Sequence, residues 1–315
     1  MKAFLKHLLG FLLLFIVLCA IIEFQLSKNI NNNHELQYAE VLHNTKHANA
    51  IIFGASHSTD GIRPAVLDSL GLRFYNFSFT GSNPKFNYYW YTNIFCNYYQ
   101  EPLYCIYAID WKMFDAKRKR RKYEQDAEFF PLWIFTKALF NPFQYDIRTL
   151  LSNRFCLFKY NTTDNLQYIF NKKKDYPPYV IEEYVDGFLP CTLDSATRER
   201  KFGSSDYNCL VSQEMVNYFQ NLIVLLQEKN IKIIFVDPPE YGGSREIYEA
   251  MPAYHVLDSL CRINLIPFYS YNIKRRSFIN ENRNLFTDWD HLNSKGSQLF
   301  SNMLKNDLKT IIRRF

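Results

Sequence analysis

The segment Lys232-Ile-Ile-Phe-Val-Asp237, stopped at once by Pro238-Pro239, constrains this chain more than any other. Its consecutive β-branched and aromatic side chains leave no polar face, so a strand formed there must be covered on both sides. That is the condition of an inner strand in a parallel sheet, and prolines cannot continue its ladder. Comparable apolar runs occur at 48–53, 74–79, 103–109 and 266–269, the first closing on Gly54-Ala55-Ser56 and the second on Thr80-Gly81-Ser82-Asn83-Pro84. Helical patterns separate them at 64–70, 86–99, 212–229, 247–264 and 295–312. Strands alternating with helices predict an α/β fold, three layers in the order α/β/α, with a central, mostly parallel sheet and right-handed crossovers.

The rhythm is interrupted at both ends of the first half. Lys2 and Lys6 precede an uncharged apolar run from residue 8 to 22, ending at Glu23. Basic residues before such a run place the N-terminus on the cytoplasmic side and carry the rest of the chain across the membrane. Extension to Leu26 with snorkelling of Lys6 gives a spanning length, so residues 1–26 are expected to be a membrane anchor or a signal segment, with an uncleaved anchor favoured. Residues 27–45, with Asn31-Asn32-Asn33, read as a polar tether, and 46–315 as the body, single-pass anchored and extracytoplasmic. Within the body, the stretch from about 115 to 208 breaks the alternation and reads as an inserted cap or one wall of a substrate site. Its charge run 117–122 reads as a solvated face, with lipid headgroups or an anionic glycan as the alternative contact.

Composition excludes little else. A net charge of +6 without a dense basic stripe argues against nucleic acid as partner. The 23 tyrosines and 28 phenylalanines suit either a large aromatic core or a sugar-stacking surface, and the core is the simpler reading. The seven cysteines form no Cys-x-x-Cys pair and the histidines show no ligand spacing, so no metal or organic cofactor is implied. Cys19 lies in the apolar run; of the rest, loop context suggests Cys191 with Cys209 as a disulfide. Asn76-Phe-Ser and Asn161-Thr-Thr fit glycosylation sequons, though Asn76 falls in a predicted strand.

Ser56 follows the first strand, at the carboxyl edge where open α/β folds place their sites. Serine is a weak nucleophile without a base, and the adjacent His57 is a poor candidate because neighbouring side chains diverge. Just before the terminal helix stands Thr287-Asp288-Trp289-Asp290-His291-Leu292-Asn293. Asp288 and His291, three apart on a turn, bring a carboxylate to Nδ1 and leave Nε2 free to deprotonate Ser56. Asp290 offers a second carboxylate, but the three-residue spacing favours Asp288. Gly296 is expected to permit close packing as the last helix starts, and Ser294 to cap it.

Taken in order, Gly54-Ala55-Ser56-His57 after strand one, Gly81 after strand two and Asp288-x-x-His291 before the last helix resemble the SGNH/GDSL hydrolase superfamily over residues 46 to 312. The resemblance implies a flavodoxin-like three-layer fold, Ser56 as nucleophile, His291 as base and Asp288 as its orienter. It departs after strand three, where members carry Gly-x-Asn-Asp and this chain has Ala108-Ile109-Asp110-Trp111. An anionic Asp110 donates no hydrogen bond to an oxyanion. That task then falls to the backbone amides of Ser56 and Gly81, with the Asn83 side chain. The anchor, Ile109-Asp110-Trp111 and terminal Asp-x-x-His-Leu-Asn also resemble the membrane-tethered SGNH-like proteins of envelope polysaccharide O-acetylation, of alginate O-acetylation type. This implies transfer of an acyl group, acetyl by preference, to a glycan, beside a multipass membrane acyltransferase. The alternatives are an esterase or deacetylase with the same residues, and a non-catalytic membrane-tethered scaffold.

Overall fold

The computed structural model describes residues 2–29, 48–96, 100–115, 186–189, 210–242, 245–288 and 290–312. Almost all of the expected insertion, the tether from residue 30 to 45, and both Cys191 and Cys209 lie outside the described residues, while 27–29 continue the first helix. The chain divides into two compact units. The described part of the first is helix α1 (Lys2–Asn29), whose segment Lys2–Leu26 contains an 18-residue stretch of mean hydropathy 2.6, none of it buried. At 1.5 Å per residue its 25 residues reach about 37 Å, enough to cross a hydrocarbon core. It is long and apolar enough for an anchor or a signal sequence alike.

The second unit is built on a five-stranded parallel sheet in the order β2-β1-β3-β4-β5, among the described residues. The strands are β1 (Ala50–Phe53), β2 (Phe74–Asn76), β3 (Tyr104–Ala108), β4 (Lys232–Asp237) and β5 (Phe268–Ser270). Register is fixed by Ala50 opposite both Phe74 and Tyr104, Tyr104 opposite Lys232, and Phe235 opposite Phe268. This is the doubly wound order whose direction reverses between β1 and β3, the switch point at which open α/β folds place their sites.

The α/β/α layering follows from the strands' two-residue period. Ala50, Ile52, Ile106, Ala108, Ile234 and Val236 face the terminal helix α8 (Ser294–Ile312), where Phe300, Leu304 and Leu308 are fully buried. Leu67 of the short helix α3 (Pro64–Leu67) belongs to the same core. The alternate residues Phe53, Tyr107 and Phe235 meet the other layer. Phe219 of α5 (Gln213–Glu228) stacks on Phe235 at 5.2 Å, and Tyr107 lies edge-on to it at 4.9 Å. Tyr91 packs edge-on against Phe53 at 6.0 Å. Much of the aromatic content among the described residues is therefore core.

Several predicted boundaries move, each for a local reason. The helix expected over 247–264 is two, α6 (Arg245–Glu249) and α7 (Pro252–Asn264), because Met251 is held extended before Pro252. The helix expected over 86–99 begins earlier, as α4 (Pro84–Trp90), with proline at its first turn and the Asn83 side chain accepting from the Phe86 amide; it then widens into a π-turn (Tyr91–Phe95). Ser294 is the first residue of α8 rather than its cap. The Asn293 side chain does the capping, accepting from the Gly296 amide at 3.0 Å. Cys96, Cys105 and Cys261, counted with the disulfide candidates, are free thiols. Asn76 is buried, its amide donating to the carbonyls of Ser58 and Ile62 at 2.9 and 3.1 Å; it ties β2 to the turn that carries Ser56.

Candidate functional site

Ser56 is the first residue of a single helical turn, α2 (Ser56–Thr59), entered directly from β1. Gly54 makes that entry possible. Its φ is +152°, and a Cβ there would meet the Ala108 carbonyl of β3 at 2.8 Å. The turn is closed by Thr59 and Asp60 amides donating to Ala55 and Ser56 carbonyls. As first-turn amides, those of Ser56 and His57 have no intrahelical acceptor and make no backbone hydrogen bond among the described residues.

The segment 286–292 closes on itself through a bridge between Phe286 and Leu292, with the Thr287 amide donating to the His291 carbonyl at 2.9 Å. Inside this loop the Asp288 carboxylate accepts from the Asp290 and His291 amides at 3.0 and 2.7 Å, which fixes its position. Both its oxygens accept from Nδ1 of His291, at 3.0 and 2.9 Å. The opposite nitrogen, Nε2, stands 2.7 Å from Ser56 Oγ. Ser56 and His291 are 235 residues apart in sequence and in hydrogen-bond contact in space.

Asp290 enters this arrangement too. Its Oδ1 lies 2.8 Å from His291 Nδ1 as an ion-pair partner, while the Nδ1–H is directed at Asp288. Its Oδ2 lies 3.6 Å from His57 Nε2. Asp288 is 41% exposed and Asp290 only 15%, so the carboxylate with the hydrogen bond is the wetter and the one acting through charge the drier. Burial opposes protonation of His291, but Asp290 and then Asp288 outweigh it and raise the imidazole well above its ordinary value. Burial would likewise raise Asp290, yet the His291 and His57 imidazoles hold it well below the usual carboxylate range.

Gly81, with φ +76°, and Asn83 stand beside the serine turn, because Ser82 Oγ donates to the Gly54 carbonyl at 2.6 Å and the Phe79 amide to the same oxygen at 3.2 Å. The Asn83 Oδ1 is engaged as the α4 cap, which leaves the Nδ2 end to donate. Asp110 follows β3 with Oδ1 accepting the Lys112 amide at 2.9 Å, buried in the segment where the resemblance would place an asparagine donor. Substitution Asn83→Asp keeps a capping oxygen and removes the donor. If Asn83 serves the oxyanion, kcat is expected to fall by about 10²–10³ with the melting temperature little changed, as parallel rate and melting measurements would show.

Behind the serine turn lies a buried acidic network that the sequence pattern does not announce. Asp237, at the end of β4, accepts from Trp111 Nε1 at 2.8 Å, Ser270 Oγ at 2.5 Å and Asn272 Nδ2 at 2.8 Å. Glu240 accepts from the Tyr248 hydroxyl at 2.8 Å and lies 3.9 Å from His57 Nδ1. Burial pushes Asp237 up to about 8, with Glu240 adding to it, and pushes Glu240 and Asp60 up to about 7. The one available signal is Asp237 itself, a carboxylate closing the apolar run 233–236.

These shifts set the pH dependence of stability. A carboxyl raised from about 4 to 7 or 8 binds its proton more tightly when folded. Its contribution is therefore complete below about pH 4 and is lost as pH rises to 7–8. The raised imidazoles of His57 and His291 act in the same direction, losing their contribution as pH climbs past their folded values. Asp290 opposes them only below its unfolded value of 3.8. The melting temperature is expected to be highest near pH 5 and to fall by several degrees towards pH 8.5, and Asp237→Asn to flatten the alkaline part of that slope. A flat or rising profile in calorimetry would contradict the assignment.

Donor atoms of His57, Asp290 and His291 all lie within 4.8 Å of one another. A small cation accepts such spacing, but here both His291 nitrogens are engaged, by Ser56 and by Asp288, and the cluster is one of imidazole–carboxylate pairs. Chemically, the site holds a hydroxyl against a basic nitrogen whose tautomer is fixed by a carboxylate, beside the first-turn amides of Ser56 and His57.

No protein-family model and no curated protein matches this chain. Among solved structures, it is similar to a GDSL-like lipase of Bacteroides thetaiotaomicron at 11% identity and a TM-score of 0.40, covering 90% of this chain and 98% of that one. It is also similar to a lipase/acylhydrolase of Enterococcus faecalis at 9% identity and a TM-score of 0.37, covering 83% and 96%. At that distance the likeness is one of outline, and the chemistry of the site stands on its own residues.

Proposed function

We propose that this chain is a serine-dependent acyl-transfer enzyme in which Ser56 is the nucleophile, His291 the general base and Asp288 its orienting carboxylate. The observation that carries this reading is the unbroken line of contacts from Ser56 Oγ to His291 Nε2 and from Nδ1 to Asp288. His291 takes the Ser56 proton as Oγ attacks an acyl carbonyl, and the tetrahedral oxyanion is met by the Ser56 and Gly81 amides with Asn83. Collapse passes the proton from His291 to the leaving alkoxide and leaves acyl-Ser56. An acceptor hydroxyl, deprotonated in turn by His291, then takes the acyl group and frees the serine.

For the acceptor we propose a hydroxyl of an envelope or exported polysaccharide, with acetyl as the acyl group and a multipass membrane acyltransferase as its source. Two features support this: the apolar helix α1, suited to anchoring, and the resemblance of Ile109-Asp110-Trp111 and Asp288-x-x-His291 to tethered O-acetylation proteins. Water as acceptor makes the same site an esterase. Incubating the full chain with p-nitrophenyl acetate and a soluble oligosaccharide separates the two: acetylated sugar supports transfer, and acetate alone supports hydrolysis. Unchanged nitrophenol release from Ser56→Ala would overturn both.

A further inference from the structure

His57 has no part in the acyl-transfer steps, yet it is 8% exposed and sits among titratable groups from every element around it. Asp290 faces it from the loop before α8, at 3.6 Å. Glu240 faces it from the segment after β4, at 3.9 Å, and Asp110 acts on it from the end of β3. Asp60 shares its own turn, and the His291 ring stands 5.0 Å away at an interplanar angle of 56°. Its Nδ1 is buried and makes no hydrogen bond among the described residues.

Asp290 is the joint of this cluster. One oxygen lies against His291 and the other against His57. Since Asp288 already takes the Nδ1–H, Asp290 contributes charge to His291 and not tautomer control. A base with two carboxylates on one nitrogen has a practical fault: it holds its proton at the pH where it must accept one from serine. A second imidazole on the same carboxylate relieves that fault. It draws part of the negative charge to itself and, when protonated, repels a proton on His291 across 5.0 Å.

We propose that His57 is a positioning residue that shares the Asp290 carboxylate with His291 and thereby limits how tightly His291 holds its proton, with Glu240 and its Tyr248 hydrogen bond supporting His57 from behind. The claim about charge sharing stands on the cluster alone, and only its consequence for turnover rests on the reading of His291 as general base.

The test is titration of the imidazoles by NMR in the full-length chain, histidine-labelled and held in detergent micelles, with His291→Gln assigning the resonance. Replacing His57 by glutamine is expected to raise the His291 midpoint by about one pH unit. Asp290→Asn is expected to lower it by at least as much, and to lower the His57 midpoint with it. Opposite shifts from two neutral substitutions are something a general loss of packing does not produce. A His291 midpoint that stays put or falls in His57→Gln overturns the proposal. Should that variant fail to fold, an Asp290→Asn protein with both midpoints at wild-type values overturns it equally. In turnover, the acid limb of kcat/KM should move with the NMR midpoint. If the chain turns over no ester at all, the NMR shifts still decide this inference, so its failure and that of the proposed function are told apart.

Discussion

Ester turnover by the full chain is expected to fall by several orders of magnitude, up to about 10⁶, when Ser56 is replaced by alanine, and by a similar factor in His291→Ala. The equality of the two losses matters more than their size. Oγ and Nε2 are 2.7 Å apart and in the proposed mechanism act as one unit, so removing either leaves the other with nothing to do, and the double variant should be no worse than the single ones. A scaffold that retains only the fold predicts no loss in either. The two carboxylates are separable in the same assay. Asp288 accepts the Nδ1–H and fixes the tautomer, so Asp288→Asn should cost about 10³–10⁴ in kcat, through an imidazole turned the wrong way. Asp290 acts by charge, so Asp290→Asn should shift the pH profile more than it lowers the plateau. A reversed ranking would make Asp290 the orienting acid.

The legibility of this fold in its sequence divides along physical lines. Strands buried on both faces announce themselves as apolar runs with abrupt stops, which is why β4 and β3 are legible nearly to the residue. The run over 74–79 reads as one strand, yet its ladder ends at Asn76. Beyond that point the Phe77 and Phe79 amides still donate to Ile52 and Gly54, but the chain is already bending into the Gly81 turn. Ser56, Asp288 and His291 are legible because they occur in a fixed order at strand and helix ends. The His57–Asp290–Glu240 cluster is not, because its members come from three separate segments and meet only when the sheet closes. Spacing alone disfavours Asp290. A bend of the loop that brings the Asp290 and His291 amides onto Asp288 also turns the Asp290 carboxylate back towards the same imidazole, and no count of residues contains that.

Gly296→Ala is expected to lower the melting temperature by several degrees and to cut turnover by about tenfold to a hundredfold, although helix propensity alone predicts the reverse. Alanine in place of glycine inside a helix ordinarily stabilises by up to about 1 kcal/mol. At Gly296, however, a Cβ would stand 2.1 Å from the Leu285 carbonyl oxygen and 2.8 Å from a Leu292 methyl. The first contact is with backbone, so no rotamer change relieves it, and either α8 or the loop ahead of it must move. Overpacking of this kind costs about 1–3 kcal/mol and sometimes more, which exceeds the propensity gain. The same carbonyl also accepts the Asn293 amide at 3.0 Å, and the Asn293 side chain donates to the Asn284 carbonyl at 2.8 Å. These bonds pin the base of the loop that holds Asp288 and His291. A displacement of about 1 Å there separates Nε2 from the serine and costs about 10² in rate. Stability and turnover should therefore fall together in Gly296→Ala, whereas Ser56→Ala should lose turnover with its melting temperature nearly intact. An unchanged or higher melting temperature for Gly296→Ala would mean that α8 does not pack this tightly on Leu285, and the position of His291 would then need another support.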